Sequence, residues 1–125
     1  MAVRNTLLPQ LENFRDRYRA AAEGALREEA EAILAEALRL CPVETGALRA
    51  SGKIDGPTWS GGGDCTVTFS FGGGPVDYAL LQHETPPPIY THEPPTRDKF
   101  LEIPLLESQQ GLDARLIAGI MRRLR

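Results

Sequence analysis

Cys41-Pro42-Val43-Glu44-Thr45-Gly46-Ala47-Leu48-Arg49-Ala50-Ser51 divides the chain into two kinds of sequence. Pro42 disfavours helical geometry in the residue before it, so a helix arriving from the N-terminal side stops there. Thr45-Gly46 supplies a turn, and Leu48-Arg49-Ala50-Ser51 leads into an expected strand near Ser51 to Ile54, punctuated by Asp55-Gly56-Pro57. The stretch fixes how the chain is assembled; none of its parts makes an active site.

Upstream, apolar and alanine positions recur at Leu11, Phe14, Tyr18, Ala22, Leu26, Ala30, Ile33, Ala37 and Leu40, a three-four rhythm that predicts one long amphipathic helix over about 11–40. Glu12, Arg15, Arg19, Glu23, Arg27, Glu31 and Arg39 occupy its other faces. Such a helix is about 45 Å long at 1.5 Å per residue, more than a domain of this mass needs, so part of it is expected to meet a neighbour. The alanine-rich middle, Ala20-Ala21-Ala22 through Ala25, would let another helix approach closely, although alanine is also simply the best helix former.

Downstream, Thr66-Val67-Thr68-Phe69-Ser70-Phe71 alternates strictly and predicts a strand with Val67, Phe69 and Phe71 on one face. Gly61-Gly62-Gly63 before it and Gly72-Gly73-Gly74 after it cannot stiffen a ladder and read as mobile turns of a hairpin. Val76 to Glu84 reads as a third strand, with a helical turn around Leu80 and Leu81 as the alternative. Pro86-Pro87-Pro88 and Pro94-Pro95 bracket a long extended surface loop of the kind that binds something. Lys99-Phe100-Leu101-Glu102 opens a last helical region in which Pro104 must sit in a first turn or make a kink, and Gly111 breaks it. Leu112, Leu116, Ile120 and Leu124 then form the stripe of a short C-terminal helix. The expected fold is a single α+β domain: a long N-terminal helix over 1–41, a small mostly antiparallel sheet with an extended hairpin and proline loop over 42–95, and a C-terminal helical region over 96–125.

Composition narrows the function. Fourteen Lys plus Arg against seventeen Asp plus Glu leave a net charge of -3, which offers no global attraction to nucleic acid or anionic membranes. Cys41 and Cys65 lack CxxC or zinc spacing and read as small buried hydrophobes, in keeping with a cytoplasmic origin. The first residues carry no apolar core of signal-peptide length and no segment approaches a membrane span, so secretion and membrane insertion are not expected.

Chemistry-bearing patterns are few. His83-Glu84 and His92-Glu93 could supply four ligands to a divalent metal, which would make a metal-dependent enzyme the alternative reading; the competing one has His83 and Glu84 ending a strand and bonding the loop that covers it. Metal-binding pairs on a helix come at i and i+4, whereas these histidines lie nine residues apart across a proline-rich loop. No GxSxG is present, and the triple glycines lack the Lys-Ser or Lys-Thr of a phosphate loop. Tyr78 reads as packing, and Arg122, Arg123 and Arg125 as complements of a helix dipole. Trp59, beside the first glycine run, either tucks back onto the core or awaits a partner. A small regulatory binding module is a further alternative. No catalytic residue, metal or cofactor is assigned.

In its order of parts the chain resembles the small neck proteins of tailed bacteriophages, described as head-tail connector, tail-completion or minor capsid proteins. The resemblance rests on Pro42, Thr45, Gly46, Leu48 and Ser51, then Val76, Tyr78, Ala79, His83 and Glu84, then Lys99, Phe100 and Leu101, and spans about half the chain. It implies a small sheet flanked by helices and a non-enzymatic subunit of a homo-oligomeric ring, hexameric or dodecameric. Such a ring lies in the virion between portal or adaptor and tail proteins, with DNA passing through without specific binding. The chain departs from that pattern at Pro86-Pro87-Pro88, where a shorter Gly-Thr turn is commoner. The intersubunit contacts expected here are Trp59, Gly61, Gly62, Gly63, Gly72, Gly73, Gly74, Pro86, Pro87, Pro88, Tyr90 and His92, with Tyr78, Phe100 and Leu101 as core supports. On that reading Trp59→Ala weakens assembly and leaves monomer folding little changed.

Overall fold

A computed structural model describes residues 7–42, 46–72, 83–84 and 96–125. Helix α1 (Leu7–Leu40) is 34 residues long, about 50 Å. It begins one turn before the apolar rhythm suggests, with Pro9 third in line, where no intrahelical N–H bond is due. It ends ahead of Pro42 as the sequence predicts, Cys41 N–H still bonding Ala37 O at 2.8 Å.

Beyond the turn the chain does not enter a strand at once. Gly46, at φ +80°, leads into a single helical turn, α2 (Ala47–Ala50), which drives Leu48 into the core. Ser51 closes this turn: its hydroxyl donates to Leu48 O and accepts the Gly72 N–H at 2.8 Å. One side chain thus ties the start of the hairpin to its end, and a helical hydrogen bond replaces the expected extended backbone.

Strand β1 (Lys53–Trp59) pairs antiparallel with β2 (Cys65–Ser70), from Lys53 opposite Ser70 to Trp59 opposite Cys65. The expected stop at Asp55-Gly56-Pro57 is instead a bulge inside β1, lying between the pairs Asp55 with Thr68 and Thr58 with Thr66. Gly56 sits at φ +107°, and a Cβ there would come within 2.6 Å of Thr66 O, so only glycine fits. Pro57 follows through a cis peptide bond and occupies the bulge, where its missing N–H costs no ladder bond. Along β2 the predicted alternation holds, with Thr66 and Thr68 exposed and Val67 and Phe69 half-buried.

The core gathers where the three segments converge. Leu40, Cys41, Leu48 and Phe100 are buried together, with Phe71 and Leu101 packed against them. Phe71 and His83 meet the Phe100 ring edge-on, each with ring centroids 5.1 Å apart. Helix α3 (Glu102–Ser108) carries Pro104 buried in its first turn, so no kink is needed. Gly111, at φ +71°, separates it from α4 (Leu112–Leu124).

Helix α4 runs antiparallel to α1. Arg115 reaches Glu29, Gly119 lies against Ala25, and Arg17 donates to Leu124 O at 3.2 Å, so α4 ends near Ala20, within reach of the Arg17 side chain. The whole is the expected α+β arrangement: a long N-terminal helix, C-terminal helices and a small antiparallel sheet, two-stranded among the described residues. The third strand predicted over Val76 to Glu84 lies largely outside the described residues; at its end, His83 and Glu84 are helical rather than extended. Among the described residues no helix is long and apolar enough to cross a membrane.

Candidate functional site

Trp59 is the last residue of β1, not part of a loop. Its indole N–H donates to Glu23 Oε1 at 2.6 Å, and the Arg19 guanidinium lies 5.1 Å from the ring centroid. The tip residues follow: Ser60 N–H bonds Asp64 O at 2.8 Å, and Gly61, Gly62 and Gly63 are exposed at the turn. The indole is therefore the clamp that lays the far end of the hairpin along α1. Sequence offered both fates for Trp59 and no signal for Glu23 or Arg19, which lie 36 and 40 positions upstream.

A second cluster joins His83 and Glu84 to the start of α3. His83 Nε2 accepts the Glu102 N–H at 3.3 Å, so Nδ1 carries the proton it shares with Glu84 Oε1 at 2.9 Å. Lys99 bonds Glu84 Oε2 closely and lies 3.5 Å from Glu102, while its own N–H donates to His83 O at 2.6 Å. The Lys99 ammonium, with His83 next, holds the Glu84 carboxyl below its ordinary range, and Glu84 in turn raises Lys99. Both imidazole nitrogens are thus engaged, Nε2 in capping α3 and Nδ1 on Glu84, a use in keeping with the structural reading of His83-Glu84, although the loop it serves is a helix start. His92 and Glu93, the other half of the metal hypothesis, lie outside the described residues. No group of three or more metal-ligating side chains forms among the described residues.

Neither thiol is set up as a nucleophile. Burial pushes Cys41 up to about 11, against a smaller opposing pull from Arg49, and burial followed by the Glu23 charge raises Cys65. Cys41 is fully buried as expected, whereas Cys65 is half-buried.

What stands out is surface. The chain exposes 8572 Å², where a compact monomer of 13.7 kDa exposes about 6600 Å². On α1, Leu8, Leu11 and Phe14 are 58%, 53% and 58% exposed and Tyr18 is 43% exposed. Leu11, Phe14 and Tyr18 therefore sit in solvent on the same face that, further along, buries Ala21 and Ala25, with Leu8 on the flank of that face. On α4, Arg122 and Arg123 pair with Glu28 and Arg115 with Glu29, so its charged edge is turned to α1. The predicted stripe of Leu112, Leu116, Ile120 and Leu124 is half-buried, Gly119 is the one fully buried residue of α4, and Ile117 and Met121 on its outer side are exposed. A groove of about 260 Å³ between Leu26, Ala30 and Ile33 of α1, Val67 and Phe69 of β2, and Leu112 adds to the open apolar surface.

Of the expected contacts, Trp59 is engaged within the chain, Gly61 to Gly63 are exposed, and Gly72 takes φ +87° at the hairpin base. Gly73, Gly74, Pro86, Pro87, Pro88, Tyr90 and His92 lie outside the described residues, as does Tyr78. Phe100 and Leu101 are the core supports expected of them. Comparison with profiles of known families, with curated proteins and with solved structures finds no match.

Proposed function

We propose that the protein is a structural subunit of a homo-oligomeric ring at the head-tail junction of a tailed bacteriophage, acting in assembly rather than catalysis. One observation carries the reading: a 34-residue helix whose first part bears large apolar side chains in solvent, a surface that a subunit buries against its neighbours and a solitary globule leaves wasted. The glycine tip stays exposed at the end of a hairpin whose base is pinned by Ser51 and whose far end Trp59 clamps to α1, so Gly61 to Gly63 offer a fixed surface to an adjacent subunit. In this role the His83 cluster fixes the start of α3, and the raised thiols stay inert. A net charge of -3 lets DNA pass a channel without being retained by counterion release. The ring would join the portal-bearing head to the tail, with portal, adaptor and tail proteins as partners.

The test is deletion of the coding gene in a phage that carries it. Filled heads and separate tails, joined on adding the purified protein, are expected; joined infectious particles in its absence refute the proposal.

A further inference from the structure

We propose that the free chain pairs with a second copy of itself through the first part of α1, the two helices antiparallel, with the dyad between Glu12 and Asn13. The face at issue is Leu7, Leu11, Phe14 and Tyr18, at the four-three spacing of a helix-packing seam, with the exposed Leu8 on its flank. It continues the seam on which α4 already lies, since Ala21 and Ala25 follow Tyr18 on the same face and are buried there. Where α4 stops, near Ala20, the seam runs on toward the helix start with Leu11, Phe14 and Tyr18 exposed. The occupant that continues this packing is another helix, entering end to end with α4.

A second α1 fits that space in one direction only. Run parallel, the partner helix would continue past Tyr18 into the volume that α4 fills against Ala21 and Ala25. Run antiparallel, its first turn meets the end of α4, and each copy covers the other's seam without touching the Ala25 contact. In this register Leu11 packs on Phe14 of the other copy, and Leu8 lies beneath its Arg15. Arg15 is bound in the single chain only to the adjacent exposed Asp16, so its stem is free to lie across an apolar residue.

The area suits a reversible dimer. The four side chains offer on the order of 400 Å² per copy and, with the flanking arginine stems, about 1000 Å² for the pair, the lower bound for a specific interface. The pairing depends on this face alone, and it holds for the free chain whether or not the neck reading is right.

Sedimentation equilibrium of the purified full chain tests it. The protein is expected to be dimeric at about 100 µM and monomeric at about 1 µM. Phe14→Asp, which alters a side chain 58% exposed in the single chain, is expected to keep its helical circular dichroism and to weaken association by about 100-fold. Leu8→Glu and Leu8→Lys remove the same apolar contact but face Arg15 of the other copy with opposite charge, so the Glu variant should associate about tenfold more tightly at low salt. A wild-type chain monomeric at 100 µM, or association untouched by Phe14→Asp, overturns the pairing. Equal affinities for the two Leu8 variants overturn its antiparallel register.

Discussion

Replacing Trp59 with alanine should lower the stability of the single chain by about 3–3.5 kcal/mol. The indole is half-buried between the hairpin end and α1. Withdrawing its apolar surface from that contact costs about 2 kcal/mol at 25 cal/mol per Å². The bond to Glu23, direct at 2.6 Å but partly wet, adds about 1 kcal/mol. The Arg19 guanidinium over the ring, being exposed, adds about 0.5 kcal/mol. Against a total of roughly 6–19 kcal/mol for a chain of this length, that is a large fraction. In urea, with an m-value near 2 kcal/mol/M, the midpoint should fall by about 1.5 M, followed by circular dichroism because the variant has no tryptophan. Trp59→Phe keeps a ring over Arg19 and loses the hydrogen bond, so it should fall by roughly 0.5–1 M. A midpoint for Trp59→Ala within about 0.3 M of the parent, at unchanged m-value, would refute the clamp and restore the sequence expectation of an indole held for a partner.

Phe100→Ala should cost about 3–5 kcal/mol, since a ring 1% exposed between Phe71 and His83 leaves a cavity; a loss under 1 kcal/mol in urea melts would contradict its place in the core. Gly119→Ala sets about 1 kcal/mol of helix propensity against a Cβ only 3.0 Å from that of Ala25. Because the large side chains of α4 are at most half-buried, it can shift outward, and the variant should lie within about 0.5 kcal/mol of the parent while Gly119→Leu loses 2 kcal/mol or more. In acid, the folded-state values of Glu84, Glu28 and Glu36 lie below the ordinary 4.5, held there chiefly by Lys99, Arg123 and Arg39 respectively. The unfolded chain then binds more protons than the folded one as pH falls from about 5. These pairs contribute stability above that range and lose it progressively on acidification. Glu84→Gln should flatten the acid limb of a stability-against-pH curve, and an unchanged limb would show the clasp to be idle.

The parts legible in sequence were those governed by period. The three-four rhythm of α1, the two-residue alternation of β2, and the breaks at Pro42 and Gly111 each follow from one local rule that no tertiary contact opposes. Where a local signal had two possible outcomes, tertiary context chose. Gly56-Pro57 reads as punctuation because both residues end ladders, yet opposite Thr66 they make a bulge that lets β1 run on to Trp59. Ala47-Leu48-Arg49-Ala50 are all strong helix formers, a signal that the expected lead into a strand passed over, and the Ser51 bonds to Leu48 and Gly72 close the helical turn. The Glu23 partner of Trp59 and the Glu102 partner of His83 could not be found by pattern, because contacts across 36 and 19 positions carry no periodic trace.

The division of labour along α1 ties these pieces together. From Ala21 onward its buried positions are Ala21, Ala25, Ala30 and Ala37, small residues that bring Gly119 of α4 to close range, until Leu40 enters the core at its end. Before Ala21 the same face switches to Leu, Phe and Tyr, which hold neighbours at the longer distance of a helix pair packed through large side chains. A helix serving only its own domain has no use for that switch: large residues past the last internal partner cost solubility and return nothing to the fold. If the first part of α1 were merely an overhang, replacing Leu8, Leu11 and Phe14 together with Gln would leave both self-association and assembly unchanged while raising solubility. Loss of either with the melting temperature kept to within about 3 °C would place the value of those side chains outside the single chain.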